Sequence, residues 1–129
     1  MAHILVVDDN PGIRKLLVTA LRVAGYDVSE ASDGSEALDR MRAQKADLVI
    51  ADILMPSKDG VEMIKEVRSE HPEVPVIAIS GGGIIAAATY LSWAEQIGAD
   101  RIFEKPFSVA DLLGAVKDLL EKHGHREET

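Results

Sequence analysis

Five short apolar runs recur along the chain, and between them lie longer stretches in which apolar residues return every three or four positions. The runs cover residues 4–7, 28–31, 48–51, 76–79 and 102–103. They are almost continuously apolar rather than alternating, which is typical of strands buried on both faces of a parallel sheet. The repeated pattern therefore predicts an α/β fold in which helices cover both faces of one sheet.

The longer stretches predict helices over residues 11–24, 34–43, 60–70 and 108–122. For the first helix, Asn10 is a suitable cap, Pro11 takes the first helical position and Gly25 ends the pattern. Its predicted inward stripe comprises Ile13, Leu16, Leu17, Ala20, Leu21 and Ala24. For the last helix, Ser108 is the expected cap and Asp111 stands at the capping-box position.

Strands that alternate with helices, joined by right-handed crossovers, predict a doubly wound (βα)5 sandwich of three layers. We expect the flavodoxin-like strand order 2-1-3-4-5. In such sheets ligands bind beyond the carboxyl ends of the strands where the order reverses, here between strands 1 and 3. We expect one domain over residues 1–122 and a flexible tail over residues 123–129.

Charge and composition exclude several classes of function. The net charge of −8 argues against direct binding to nucleic acid, which attracts basic surfaces. No apolar run is long enough to cross a bilayer, and the absence of cysteine excludes disulfides and thiolate metal sites. The first strand begins without the basic region and cleavage site of a secretion signal. We therefore expect a soluble, cytoplasmic protein without membrane insertion.

Three carboxylates follow strands 1 and 3 at the predicted crevice. Asp8 and Asp9 end strand 1, and Asp52 ends strand 3, so sheet topology should bring them together. Like charges at close range raise one another's pKa unless a cation neutralises them. Oxygen ligands with room for water favour a hard divalent ion, Mg²⁺ before Ca²⁺. The sequence therefore predicts a metal site.

The alternative interpretation is that each acid is only a solvated turn or cap residue. We adopt that interpretation for Asp27, Asp47 and Asp100, because they precede strands at the opposite edge of the sheet. For the three acids at the crevice, the metal site is the favoured interpretation.

Lys105 follows strand 5 at the same edge, where its ammonium can reach a phosphoryl oxygen or a carboxylate of the crevice. A lone lysine is more often a plain surface residue. Pro106 leaves two alternatives open, a cis bond that aims the lysine inward or a trans turn. Ser80 ends strand 4 with a hydroxyl that can bind a phosphoryl oxygen or cap the next helix.

Several motifs in order make the chain resemble the receiver domain of bacterial two-component response regulators, over essentially its whole length. The motifs are Val6-Val7-Asp8-Asp9-Asn10, Asp52 with Met55-Pro56 and Asp59-Gly60, Ser80, Gly98-Ala99-Asp100 and Lys105-Pro106-Phe107. Each is weak alone, but their joint order and spacing are specific. The resemblance is to a stand-alone, chemotaxis-regulator-like receiver.

The resemblance implies that Asp52 is the phosphoacceptor, which forms an aspartyl phosphate with a phosphoryl group from a sensor histidine kinase or a small phosphodonor. It also implies that Mg²⁺ is held by Asp9, Asp52 and the backbone carbonyl of Leu54, with Asp8 acting mainly through a water. Such a domain is a signalling switch that catalyses its own phosphorylation and dephosphorylation, not an enzyme with a separate product.

By the same resemblance, Lys105 and the Ser80 hydroxyl stabilise the phosphoryl oxygens. Gly81 stands where the family needs a small residue beside the phosphoryl group. Leu54 and Gly82 stand at positions that tune dephosphorylation, and neither carries a polar group to orient water, so we expect a persistent phosphoryl group.

Two features depart from the family pattern. Ile102 stands where the family usually has an aromatic residue, and Phe103 should point to the opposite face of strand 5. The usual aromatic switch is therefore not available. Residues 81–94 carry no charge, so apolar surface on the fourth predicted helix either packs back on the domain or forms a partner or homodimer surface.

Sequence does not decide whether the switch binds an unknown downstream target or relays its phosphoryl group to a histidine phosphotransfer protein. A hydrolase of the aspartyl-phosphate type is disfavoured because it needs a second acid at the position of Leu54. A flavin or nucleotide module is disfavoured because glycines 81–83 lack the Lys-Ser/Thr ending of a phosphate loop.

Overall fold

The five apolar runs form one parallel sheet in the computed structural model, which describes residues 1–53, 60–80 and 98–122. The strands are β1 (His3–Val7), β2 (Asp27–Ala31), β3 (Leu48–Asp52), β4 (Val76–Ser80) and β5 (Arg101–Glu104). The helices are α1 (Pro11–Val23), α2 (Gly34–Ala43), α3 (Gly60–Glu70) and α4 (Val109–Lys122). The fourth predicted helix and the predicted tail lie outside the described residues, so α4 here names the last helix.

The strand order is β2-β1-β3-β4-β5, and the predicted order is confirmed. All four strand pairs are parallel. In the register of the central pair, Val7 lies opposite Ala51, so that Asp8 directly follows β1 beside the end of β3. The order reverses between these two strands, which places a crevice where the acids predict it.

Two apolar clusters, one on each face of the sheet, account for the pattern of the strands. Along β1, Leu5 and Val7 pack with α2 and α3, whereas Ile4 and Val6 pack with α1 and α4. Every residue of β3 and of β4 is buried, because helices cover both faces. In the part of the chain that is described, no helix is long and apolar enough to cross a membrane.

The predicted limits of α1 are close to those observed. The Asn10 side chain accepts from the Ile13 N–H at 3.0 Å, and Pro11 is the first helical residue. Gly25 has a φ of +103° and donates to the Arg22 carbonyl, while Tyr26 donates to the Leu21 carbonyl. This is the Schellman arrangement that ends a helix at a glycine.

The predicted stripe of α1 was wrong at two positions. Leu16 is 50% exposed, Ala24 is exposed, and Val18 is buried instead. The reason is geometric: α1 meets the sheet through residues 17, 18 and 21, and Leu16 lies about 100° around the helix from Leu17. Ala24 lies one residue past the end of the helix.

At the opposite edge from the crevice, two acids hold the starts of strands. Asp47 accepts from the His3 N–H at 2.8 Å, and Asp100 accepts from the Val76 N–H at 2.8 Å. Asp27 begins β2 and is exposed. The interpretation of these acids as turn and cap residues is confirmed.

Arg68 of α3 joins three segments through its guanidinium group. It donates to the carbonyls of Gly98 at 2.7 Å, Pro72 at 3.0 Å and Val74 at 2.8 Å, and it forms an ion pair with Asp100. A Cβ on Gly98 would lie 2.8 Å from the Arg68 Cγ, so glycine is required at this close approach. Arg68 therefore fixes the chain before β4 and before β5 against α3.

We predict that Arg68→Ala lowers the free energy of unfolding by about 2–4 kcal/mol, because partly buried carbonyls and Asp100 lose their donor. Arg42→Ala is the matched control: its half-exposed guanidinium pairs with Glu66 and Glu70 across α2 and α3. It should lose less than about 1 kcal/mol. Urea denaturation measures both, and equal losses would contradict the account of Arg68.

Two glycines should respond to alanine with opposite signs. Gly114 lies inside α4 with open space where an alanine Cβ would stand, so Gly114→Ala should raise the free energy of unfolding by about 0.5–1 kcal/mol. Gly25 also has open space, but its positive φ strains any other residue. Gly25→Ala should lower the free energy by about 1 kcal/mol. Thermal and urea denaturation of both variants would show changes of the same sign if backbone conformation were unimportant.

Candidate functional site

The carboxyl ends of the strands meet at one edge of the sheet, and each predicted site residue in the described ranges lies there. Asp52 and Ser80 are the last residues of β3 and β4, and Lys105 directly follows β5. Backbone hydrogen bonds extend the ladder past the strands: Ile53 donates to the Ile79 carbonyl and Lys105 donates to the Ser80 carbonyl, both at 2.9 Å. The rigid sheet therefore fixes the backbone beneath the site.

An acidic cluster is formed by Asp8, Asp9 and Asp52. One carboxylate oxygen from each lies within 4.8 Å of the others. Asp8 is 1% exposed and Asp52 is 4% exposed, whereas Asp9 is exposed. Two of the three negative charges are thus held away from water, where their repulsion is least screened. The cluster has the composition of a metal site.

Asp8 is held by its backbone and by one of its two carboxylate oxygens. Its N–H donates to the Ala31 carbonyl at 3.1 Å, and its Oδ1 accepts from the Asn10 N–H at 2.9 Å. Arg14 Nη1 donates to its backbone carbonyl at 2.7 Å. Its Oδ2 is buried and has no hydrogen-bond partner among residues 1–53, 60–80 and 98–122. That oxygen is free to accept from a ligand.

The pKa of Asp8 is raised above its usual value, chiefly by burial. The charges of Asp52 and Asp9 raise this pKa further, while the Asn10 N–H and the Lys105 ammonium lower it. Nearby positive charge is therefore insufficient to offset burial and the two acidic neighbours. A bound cation would supply what is missing.

Lys105 is the positive group of the site. Its Nζ lies 3.1 Å from Asp52 Oδ2 and 3.8 Å from Asp8 Oδ2, and its side chain is 27% exposed. One ammonium against three carboxylates leaves two negative charges uncompensated within this group. The Lys105–Pro106 peptide bond is cis, which is one of the two alternatives that the sequence left open.

Ser80 is completely buried at the end of β4. Its Oγ has no hydrogen-bond partner in the described part of the chain. A hydroxyl in this state is available to donate to an oxygen of a bound group. Two further residues predicted for the site, Leu54 and Gly81, lie outside the described residues.

The donor set fits Mg²⁺. All three side chains offer carboxylate oxygens, the buried Asp8 Oδ2 has no hydrogen-bond donor among the described residues, and the negative charge exceeds that of Lys105. Hard oxygen ligands and room for water on the exposed Asp9 side are what Mg²⁺ prefers. The acidic cluster could hold a metal ion.

The two faces of β5 separate Ile102 from Phe103, as the alternation of the strand predicts. Ile102 packs against the cluster that α2 and α3 cover, and Phe103 packs against the cluster that α1 and α4 cover. The Phe103 ring meets the Phe107 ring edge-on at 6.3 Å. Phe103 therefore does not replace the aromatic residue that Ile102 lacks.

The sequence analysis missed Arg14. Its Nε forms an ion pair with Glu30 at 3.0 Å, while its Nη1 binds the Asp8 carbonyl. One signal was present: a basic residue in the first turns of α1, directly after the acidic pair. That signal does not name the partner, because an arginine on an amphipathic helix is usually solvated.

Comparison with known proteins gives one consistent result. The response regulator receiver domain model matches residues 4–117. The chain is 38% identical over 121 residues to the transcriptional regulatory protein GlrR of Escherichia coli (strain K12), covering 94% of this chain and 27% of that protein. It is 37% identical over 123 residues to the sensor kinase CckA of Brucella abortus (strain 2308), covering 94% of this chain and 13% of that protein.

Among solved structures, the chemotaxis response regulator CheY4 of Vibrio cholerae matches with a TM-score of 0.83 and 32% sequence identity. The match covers 93% of this chain and 99% of that chain. By contrast, the chain spans only about a quarter of GlrR. The shared part is the receiver domain in each comparison, and this chain belongs to the family of response regulator receiver domains of two-component systems.

Proposed function

We propose that Asp52 accepts a phosphoryl group from the phosphohistidine of a sensor histidine kinase, with the help of Mg²⁺, and that the surface of the domain changes in consequence. One observation carries the proposal: a buried carboxylate lies 3.1 Å from the Lys105 ammonium inside an acidic cluster that fits a divalent cation. Family membership supports the same step, since phosphorylation on Asp is general to receiver domains.

In the proposed step, a carboxylate oxygen of Asp52 attacks the phosphorus atom. A new P–O bond forms, the P–N bond to the donor histidine breaks, and its electron pair returns to the imidazole. Asp52 is the best placed acid, because Asp8 already accepts from Asn10 and Asp9 is exposed. Lys105 lies within reach of the oxygen that changes its charge.

Bound Mg²⁺ would neutralise charge on the phosphoryl oxygens. We propose Asp9 and Asp52 as direct ligands, together with the backbone carbonyl of Leu54, and Asp8 as a partner through a bound water. The proximity of the three carboxylates supports the acidic part of this set. The role of Leu54 rests on the family resemblance.

We propose that Lys105 and Ser80 stabilise the phosphoryl group once it is attached. The Lys105 ammonium can turn from Asp52 Oδ2 to a phosphoryl oxygen, since both positions lie at the same sheet edge. The Ser80 hydroxyl is buried and has no partner among the described residues, so it can donate without breaking a hydrogen bond there. The domain would thereby promote its own phosphorylation and dephosphorylation.

We further propose a stand-alone regulator of the cytoplasm, with a receiver domain over residues 1–122 and a flexible tail over residues 123–129. The CheY4 match supports it, because it covers 99% of that chain. A sensor kinase or histidine phosphotransfer protein would be the donor, and an unidentified protein would be the target. The size of the native protein on a denaturing gel, detected by antibody, tests this: a much larger species would refute it.

A second candidate is the phosphorelay intermediate, favoured by the similarity to part of the sensor kinase CckA. A relay would return the phosphoryl group to a histidine. Purified phosphorylated domain, mixed with a histidine phosphotransfer protein of the same organism, should then lose its phosphoryl group to that protein within seconds to minutes.

We predict that incubation with acetyl phosphate and Mg²⁺ adds one phosphoryl group to the wild-type chain and none to Asp52→Asn. The adduct should be labile in base, as an acyl phosphate is. Asp27→Asn is the control, because Asp27 is an exposed acid at the opposite edge of the sheet. Intact-mass measurement distinguishes the outcomes, and a base-labile adduct on Asp52→Asn would overturn the assignment.

We predict that Lys105→Ala slows this phosphorylation about ten- to a hundred-fold, because a charge that stabilises the reacting oxygens is lost. Mg²⁺ binding should persist and become tighter, since the ammonium competes with Mg²⁺ for the same carboxylates. Calorimetry measures the affinity and mass spectrometry the rate. Lys117→Ala, an exposed change on α4, should leave both unaltered. An unchanged rate in Lys105→Ala would count against the role of this lysine.

A further inference from the structure

The Asp8–Asp9 peptide group sets where the acidic pair points. The carbonyl of Asp8 and the N–H of Asp9 belong to one planar unit, so a rotation of that plane moves both carboxylates relative to each other. Strand pairing ends here, because the Asp8 N–H is the last donor from β1 to β2, at 3.1 Å from the Ala31 carbonyl. The carbonyl of Asp8 needs another partner.

Arg14 is that partner. Its Nη1 donates to the Asp8 carbonyl at 2.7 Å, while its Nε donates to Glu30 Oε1 at 3.0 Å. The planar guanidinium holds the two donors in a fixed fork, so Glu30 on β2 orients the group that binds Asp8. The Arg14 side chain is only 21% exposed, which limits competition from water.

Resting on the Mg²⁺ site of the proposed function, we infer that Arg14 is a positioning residue for that site: it fixes the Asp8–Asp9 peptide so that both carboxylates face the metal. Arg14 contacts the backbone of Asp8 and pairs with Glu30 rather than with the acidic cluster. It acts through geometry, as residues behind metal ligands do when they orient those ligands.

Geometry and charge predict opposite signs for the loss of Arg14. If Arg14 mattered through its positive charge, Arg14→Ala would remove repulsion and tighten Mg²⁺ binding. If Arg14 positions the acidic pair, Arg14→Ala weakens Mg²⁺ binding although a repelling charge has gone. The sign of the change in Kd therefore separates the two roles.

The experiment is calorimetric titration of the whole chain with MgCl₂, without a phosphodonor. We expect Arg14→Ala to raise the Kd for Mg²⁺ about ten-fold. Arg22→Ala is a matched control: it removes the same charge from the same helix, and its Nη2 also donates to a backbone carbonyl of β2, that of Val28 at 3.4 Å. Its Kd should equal that of the wild type.

A Kd for Arg14→Ala that is unchanged or lower overturns the inference. So does a ten-fold rise in Arg22→Ala as well, since the effect would then follow charge or helix stability in general. If Arg14→Ala fails to fold, Arg14→Met keeps the apolar stem and removes the donors, and the same outcomes apply to it. Wild type without Mg²⁺ binding would instead overturn the metal site of the proposed function.

A second readout separates positioning from participation in the chemistry. The phosphorylation rate with acetyl phosphate is measured over a range of Mg²⁺ concentrations. In Arg14→Ala the half-saturating Mg²⁺ concentration should rise about ten-fold, while the rate at saturating Mg²⁺ stays within about three-fold of wild type. A saturating rate that falls ten-fold without a shift in half-saturation would contradict a positioning role.

Discussion

Repulsion among three carboxylates at one edge of the sheet is the constraint on which the site depends. Asp8, Asp9 and Asp52 place oxygens within 4.8 Å of one another. At that distance two unit charges repel by about 3 kcal/mol with an effective dielectric constant of about 20. Lys105 offsets part of this repulsion through contacts with Asp52 and Asp8. The remaining negative charge makes the site a receptor for a cation and, through the cation, for a phosphoryl group.

The apolar sheet makes such an arrangement possible. β1, β3 and β4 pack on both faces, and the backbone ladder continues past their ends to Ile53 and Lys105. A loop would relax and let the acids separate, whereas paired strands in a close-packed core cannot shift independently. The hydrophobic core thus stabilises a charged edge that on its own opposes folding, and binding of a cation would relieve that opposition.

Much of this structure follows from the sequence because the signals are periodic or topological. Continuous apolar runs predicted the strands, and the rule that parallel strands share a carboxyl edge predicted that Asp8, Asp9 and Asp52 would meet. The roles of Arg14 and Arg68 could not be predicted, because both act through hydrogen bonds from long side chains to backbone carbonyls, and such bonds leave no pattern in sequence. The exposure of Leu16 escaped prediction for a related reason: periodicity defines a stripe, but the packing angle of α1 selects which part of the stripe meets the sheet.

The same alternation that builds the sheet constrains how the site can signal. Ile102 lies opposite Ala78 in the β4–β5 pairing, on the face covered by α2 and α3, two residues before Ser80 along β4. Phe103 faces the other cluster, where its ring contacts Phe107. A displacement of the Ser80 hydroxyl toward a bound group therefore cannot be coupled to rotation of an aromatic ring at position 102. Any change that follows has to pass through repacking of an aliphatic side chain, which is smaller than a ring and moves less surface.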